Sequence, residues 1–158
     1  MEIAGAVTND ADVTQKEGEV TGVLTNNTSK TIKSTDITNS GTIENSGTIE
    51  SVNAIENSGT ITSNADNMKA GIGNSGTYNI TGGTVSYKVT GNGTINIEDD
   101  QVTVSTSIAG NNVNLSKELI LEEESYLDST STLEINDGAT LDIQNGKIGT
   151  VDAAMSIT

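Results

Sequence analysis

The hydrophobic positions of this chain recur at short, even intervals. Residues 41–64 read as four successive six-residue units, GTIENS, GTIESV, NAIENS and GTITSN, with an isoleucine at the same position of each. The preceding TDITNS extends the series to five isoleucines: Ile37, Ile43, Ile49, Ile55 and Ile61. Because six is not a multiple of 3.6, a helix would spread these side chains around its surface, whereas an even interval keeps them on one face of an extended chain. The pattern therefore predicts short β-strands joined by turns.

The Asn-Ser-Gly sequence between these strands predicts a corner. Glycine adopts positive φ without steric cost, and asparagine can hydrogen-bond its own backbone, so both suit a sharp change of direction. No single unit has enough aliphatic side chains for a core, but stacked units can bury them together. We therefore predict an all-β, single-stranded parallel β-solenoid, in which coils of roughly 18–22 residues would give about 7–8 coils.

The same strand pattern continues with looser spacing after Ile61, and two later segments have alternative interpretations. Residues 131–148 also fit a β-hairpin around Asn136-Asp137-Gly138. The segment KELILEEESYL, residues 117–127, fits a short helix or a strand, and the alternation of Leu119 and Leu121 favours the strand. Alternating pairs predict the remaining strands: Val85 with Tyr87 and Val89, Ile95 with Ile97, Val102 with Val104, Val113 with Leu115, and Leu133 with Ile135.

We assign the chain to one solenoid domain or fragment, with irregular entry coils at 1–34, hexad-like repeats at 35–64 and degenerate coils at 65–158.

Composition limits the core and the partners. With 32% hydrophobic and 2% aromatic residues and no Phe, Trp, Pro or Cys, any core is thin and aliphatic, and a disulfide scaffold or thiolate metal site is excluded. The chain has 22 acidic residues and only 7 basic ones, all lysine, which gives a net charge of -15. This balance disfavours nucleic acid and anionic membrane surfaces as partners.

No apolar run approaches the roughly 20 residues that span a bilayer, so we expect no membrane insertion. Residues 1–10 lack the basic and apolar regions of a signal peptide, so we expect any export signal to lie outside this sequence.

The candidate chemistry is sparse. Asp99 and Asp100, preceded by Glu98, are paired carboxylates of the kind that glycosidic cleavage requires, yet such an acidic run is far more often a solvated turn, and the chain has no Arg or His. The run 122–124 of three glutamates offers oxygen ligands for calcium, but consecutive side chains on a strand point to opposite faces. The rings are limited to three tyrosines, which either stack on sugars or pack in the structure: Tyr78, Tyr87 and Tyr126. We assign no catalytic, cofactor-binding or metal-binding residue and expect no cofactor.

The hexads GTI-x-NSGTI and the phrase STLEINDGATLDIQNG resemble the passenger regions of bacterial autotransporter adhesins and related surface proteins, over about Ile37 to Ile148. The resemblance implies a right-handed parallel β-helix of the pectin-lyase type. The left-handed β-helix of hexapeptide acyltransferases is the second candidate. Its pattern places a small residue four positions after the aliphatic one, where this chain has Gly47, Asn53 and Gly59, and the six-residue spacing is lost after Ile61.

The resemblance also implies a function and a location. We expect a non-enzymatic structural or adhesive segment of a secreted or cell-surface bacterial protein, located outside the cell. Its expected partners are a glycan or protein receptor on a host or other cell, and copies of itself joined end to end. Two alternatives stay open: a carbohydrate-active β-helix enzyme, either a polysaccharide lyase or a hydrolase, and a self-assembling filament subunit.

Overall fold

The chain winds into a parallel β-solenoid of about eight coils. The computed structural model describes residues 1–128, residues 132–149 and the strand Ser156–Ile157. Residues paired between neighbouring coils lie from 17 positions apart, as in Glu2 and Glu19, to 24 positions apart, as in Thr132 and Ser156. The predicted all-β parallel solenoid is confirmed, and with neighbouring strands about 4.8 Å apart its nine layers span about 38 Å.

Each coil passes through three faces. The first face is sheet A, with nine strands: Glu2–Ile3, Glu17–Val20, Asp36–Asn39, Ile55–Asn57, Ile72–Asn74, Val89–Gly91, Ser107–Ala109, Tyr126–Leu127 and Lys147–Ile148. The second face is sheet B, with nine strands: Ala6–Asn9, Val23–Asn26, Thr42–Asn45, Thr60–Ser63, Thr77–Ile80, Thr94–Ile97, Asn112–Leu115, Thr132–Ile135 and Ser156–Ile157.

The third face is divided into two four-stranded sheets. Sheet C comprises Val13–Thr14, Thr31–Ser34, Thr48–Ser51 and Met68–Lys69. Sheet D comprises Gly83–Val85, Val102–Val104, Glu118–Leu121 and Thr140–Ile143. The 3₁₀ turn Ala65–Asn67 precedes the last strand of sheet C, and the Asp66 carboxylate accepts a hydrogen bond from the backbone N–H of Thr84 at 3.1 Å. This turn, rather than the strand Met68–Lys69, therefore lies beside the first strand of sheet D.

The periodic isoleucines form the aliphatic core, with successive hexads on successive faces. Ile37 lies on sheet A, Ile43 on sheet B and Ile49 on sheet C, and all three are at most 5% exposed. Three hexads complete one coil, so Ile43 pairs with Ile61, 18 positions later. Burying a side chain of this size is worth about 1.5–3 kcal/mol, and stacking supplies the burial that no single hexad can achieve.

The corner glycines are required by close packing between coils. A Cβ added to Gly59 would lie 2.1 Å from the carbonyl oxygen of Gly41, and one added to Gly76 would lie 2.1 Å from the carbonyl oxygen of Gly59. Neither residue has the positive φ found at Gly82 and Gly91. The prediction that positive φ explains the glycine of Asn-Ser-Gly is therefore wrong at these corners. Glycine is required there because the backbone of the preceding coil leaves no room for a side chain.

The buried asparagines form two ladders that run along the solenoid. In the sheet B ladder, the Nδ2 atom of each residue donates to the side-chain oxygen of the next at 2.7, 2.7 and 2.9 Å, in the order Asn9, Asn26, Asn45 and Ser63. In the sheet A ladder, the corresponding distances are 2.7, 2.8 and 3.0 Å, in the order Asn39, Asn57, Asn74 and Asn111. The predicted bond from asparagine to its own backbone is wrong at Asn39, Asn57 and Asn74, since these amides donate to other coils. Asn111 does donate to nearby backbone, the oxygen of Ala109 at 3.1 Å.

The later segments resolve the alternatives that the sequence left open. Strands Thr132–Ile135 and Thr140–Ile143 belong to different sheets and each pairs in parallel with an earlier coil, so the hairpin interpretation is wrong. The segment 117–127 contains strands Glu118–Leu121 and Tyr126–Leu127, which confirms the strand interpretation. One alternating set fails: the strand that begins at Gly83 ends at Val85, and Tyr87 lies in an exposed stretch between two buried valines.

Candidate functional site

The paired carboxylates of Asp99 and Asp100 lie in the turn that follows strand Thr94–Ile97, and both side chains are exposed. The Oδ1 atom of Asp100 accepts a hydrogen bond from the backbone N–H of Gln101 at 2.8 Å, and the Gln101 side chain donates to the Glu118 carboxylate. These groups line a surface depression of about 470 Å³ together with Lys117, Gly138 and Thr140. The depression combines carboxylates with one lysine, and one of these acids, Asp100, accepts a hydrogen bond within a backbone turn.

The glutamates at 122–124 form a turn between strands Glu118–Leu121 and Tyr126–Leu127. All three are exposed, and Glu124 has a φ of 65°. The Ser125 hydroxyl donates to the backbone oxygen of Glu122 at 2.7 Å, which fixes the turn without using a carboxylate. Within residues 1–128 and 132–149, no group of three or more His, Cys, Asp or Glu side chains is arranged to hold a metal ion.

The three tyrosines occupy three different environments. Tyr78 is 1% exposed in the core, and burial raises the pKa of its phenol well above the ordinary range. Tyr126 is half-buried at the start of a sheet A strand. Tyr87 is 43% exposed, so its ring is available for contact with a ligand. The structure therefore distinguishes the exposed ring of Tyr87 from the buried ring of Tyr78, which the sequence alone did not.

Tyr87 shares a groove of about 490 Å³ with charged side chains from sheet C. Lys33, Glu50 and Lys69 stand in one column across three strands, since Lys33 pairs with Glu50 and Glu50 with Lys69. The Lys33 Nζ atom lies 2.8 Å from the Glu50 Oε2 atom, the single salt bridge in the described part of the chain. That hydrogen bond and the charge of Glu50 raise the pKa of Lys33. Ser34, Ser51 and Val52 complete the lining.

Sequence reasoning missed this groove because its residues are far apart along the chain. Lys33 and Lys69 are two of seven lysines scattered through the sequence, and only the coil length brings them into one column with Glu50 between. The available clue was their distance, 36 positions, which equals six hexads. The sequence prediction used the hexad for its isoleucines and its Asn-Ser-Gly corners, and not for the charged positions between them.

A regular polar array covers the outer face of sheet B and was also missed. One column pairs threonines from four successive coils, namely Thr42, Thr60, Thr77 and Thr94. Beside it, half-buried amides form an outer ladder in which Asn114 donates to Asn96 at 2.8 Å, and Asn96 to Asn79 at 2.9 Å. The ladder fixes these side chains, so this face is ordered and polar.

A second depression, of about 550 Å³, lies on sheet A at the first coils and is lined mainly by acids, with Glu2, Glu17, Glu19 and Asp36 among them. The amino group of Met1 donates to the backbone oxygen of Glu17 at 2.6 Å. The depression concentrates negative charge at this end of sheet A.

No helix in the described part of the chain is long and apolar enough to cross a membrane. A scan against protein-family models finds no match to this chain, and searches of curated proteins and of solved structures find no significant match either.

Proposed function

We propose that this chain is a non-enzymatic structural and adhesive segment of a secreted or cell-surface bacterial protein, folded as a right-handed parallel β-helix. The observation that carries the proposal is the contrast between interior and surface. Inside, aliphatic columns and asparagine ladders repeat from coil to coil. Outside, the acidic candidates Asp99 and Asp100 lie in a turn, and the three glutamates at 122–124 lie in another.

This contrast favours a scaffold because its repeated interactions build length and rigidity. Each coil adds about 4.8 Å along the axis and presents three outer faces, so surface residues are displayed along an extended support. The net charge of -15 keeps such a rod soluble and disfavours nonspecific association with nucleic acid or anionic lipid. The resemblance to autotransporter passengers supports the cell-surface location and the right-handed coil.

Two assays on the purified chain test the proposal. First, the chain is coupled to beads, and retention on immobilised glycans and on cell-surface protein extracts is compared with beads that carry an unrelated acidic protein; we expect selective retention. Second, the chain is incubated with acidic and neutral polysaccharides, and new reducing ends and absorbance at 232 nm are followed. We expect no turnover above buffer.

The enzyme alternative has one observation in its favour, the depression that holds Asp99, Asp100, Lys117 and Glu118 together. Turnover that disappears in both Asp99→Asn and Asp100→Asn, while Glu123→Gln retains it, would replace the adhesive proposal with a carbohydrate-active enzyme. End-to-end self-association is tested by static light scattering, in which mass should rise with concentration if coils of different molecules stack.

A further inference from the structure

The groove beside Tyr87 lies where the third face of the solenoid is interrupted. Sheet C ends at Lys69, and the next coil starts sheet D at Gly83 without pairing to it. The groove places two lysines, one glutamate and one exposed ring around a volume of about 490 Å³. This is a local excess of positive charge on a chain whose net charge is -15.

We propose that this groove binds an acidic sugar residue of a glycan, with the sugar ring against Tyr87 and its carboxylate or sulfate group against Lys69. The inference rests on the proposed adhesive function and names the ligand class and the residues that recognise it.

Lys69 is the cation available to a ligand. Lys33 already donates to Glu50 at 2.8 Å, and this pair is the single salt bridge among the described residues. Glu50 also stands beside Lys69 in the same column, and Lys69 is exposed. The Lys33–Glu50 pair leaves the second lysine uncompensated, so an incoming anion gains an ion pair without first breaking one.

Tyr87 provides a ring held in place for stacking. It lies in the exposed stretch 86–88, between Val85 and Val89, which are 4% and 1% exposed. These buried valines anchor the backbone on both sides, so little motion of the ring has to be frozen on binding. The Val52 side chain, 80% exposed, adds an apolar contact on the same groove.

The polar lining suits a ligand rich in hydroxyl groups. The Ser34 hydroxyl donates to the backbone oxygen of Asp36 at 2.6 Å, and the Ser51 hydroxyl donates to that of Thr35 at 3.1 Å. Ser34 is only 6% exposed, so the half-buried Ser51 is the serine whose oxygen, with its proton engaged, can accept from a ligand, and the Glu50 carboxylate adds acceptors. Each sugar ring carries several hydroxyl donors for such acceptors, whereas an acidic peptide has donors only in its backbone N–H groups. The lining therefore favours an acidic sugar over an acidic peptide.

Titration calorimetry on the full chain tests the proposal with four probes of similar size: a galacturonate hexamer, a heparin hexasaccharide, neutral maltohexaose and a hexaglutamate peptide. We expect binding of one or both acidic saccharides and none of maltohexaose or hexaglutamate. The two acidic arms distinguish a carboxylate from a sulfate as the recognised group, and binding of either one supports the groove.

Matched variants assign that binding to the groove. We expect Lys69→Gln to weaken the affinity about three- to fivefold, the scale of one exposed ion pair, and Tyr87→Ala to weaken it about five- to tenfold. Tyr87→Phe should stay within about twofold of wild type. Lys147→Gln, at an exposed lysine outside the groove, should change nothing. Because both groove residues are exposed, circular dichroism should show each variant folded.

Three outcomes would overturn the inference: no binding of either acidic saccharide, binding unchanged in Lys69→Gln and Tyr87→Ala, or hexaglutamate bound as tightly as the saccharides. The second outcome leaves the adhesive function intact and moves its site elsewhere. By contrast, cleavage of a bound saccharide would overturn the non-enzymatic function and leave the groove as a binding subsite. The two failures are therefore distinguishable.

Discussion

Val20 and Asn39 occupy the same position in adjacent strands of sheet A, and the buried Oδ1 atom of Asn39 has no hydrogen-bond donor. Asn39 is the first rung of the sheet A ladder, and its Nδ2 atom donates to Asn57 at 2.7 Å and to the backbone oxygen of Thr60 at 3.0 Å. Every later rung receives the amide of the rung before it. The preceding coil supplies a valine instead, so the ladder begins on an unpaired acceptor.

Val20→Asn should extend the ladder by one rung. A buried unsatisfied acceptor costs about 1–3 kcal/mol, and the new amide would satisfy it while losing part of the apolar burial of valine. We expect Val20→Asn to change the free energy of unfolding by less than about 1 kcal/mol in denaturant titrations. The control is Val89→Asn, also in sheet A and 1% exposed but in an aliphatic column, which should cost about 3 kcal/mol. Equal losses in the two variants would contradict the ladder explanation.

Asn57 is the most informative rung for measuring what the ladder contributes. Its side chain accepts from Asn39 and donates to Asn74 and to the backbone oxygen of Thr77. Asn57→Ala removes these bonds and leaves buried partners unpaired, so we expect a loss of about 3 kcal/mol in chemical denaturation. Asn96→Ala, in the half-buried outer ladder, should cost under about 1 kcal/mol because water replaces the amide. A smaller effect at Asn57 than at Asn96 would show that the inner ladder is dispensable.

Gly59→Ala should be strongly destabilising although the backbone there is ordinary. Its Cβ would meet the Gly41 carbonyl oxygen at 2.1 Å, and backbone atoms cannot move aside as a flexible side chain can. We expect a loss of about 3 kcal/mol in the free energy of unfolding. Gly5→Ala is the matched control, because no atom lies within 4 Å of its added Cβ, and it should be neutral or slightly stabilising. A destabilised Gly5→Ala would point to backbone conformation rather than coil packing.

Tyr78 should make the fold sensitive to alkali. Burial raises the pKa of its phenol above that of the unfolded chain, so the folded state retains a proton that the unfolded state loses. The stability that this residue contributes is complete below about pH 10 and falls as pH rises above it, by up to about 1.4 kcal/mol per pH unit. Urea titrations at pH 9, 10 and 11 should therefore show a steeper loss in wild type than in Tyr78→Phe. Parallel losses in the two proteins would contradict this assignment.

The aliphatic hexads predicted the class of fold, because burial of regularly spaced isoleucines is a local and periodic requirement. The same reasoning failed for residues whose environment is set by contact with another coil. Gly59 was predicted to need positive φ. Glycine is required there because the carbonyl oxygen of Gly41, 18 positions earlier, leaves no room for a Cβ. Tyr87 was placed on a strand by alternation with Val85, but that strand ends at Val85 and the Tyr87 ring is exposed to solvent.

The sequence by itself determined the strands, the inward isoleucines and the thin aliphatic core, since a six-residue period and a chain poor in aromatic residues permit little else. Tertiary structure decided where each coil closes, after 17 positions between Lys33 and Glu50 and after 19 between Glu50 and Lys69. It thereby placed Asn on Asn, Gly on Gly, and these three charged residues in one column. The reason is that contacts across coils depend on the length of a turn around the axis. Corners of different length bring the strands back into register, as in the steps of 17, 19 and 18 positions along Asn9, Asn26, Asn45 and Ser63, and no local pattern gives those lengths.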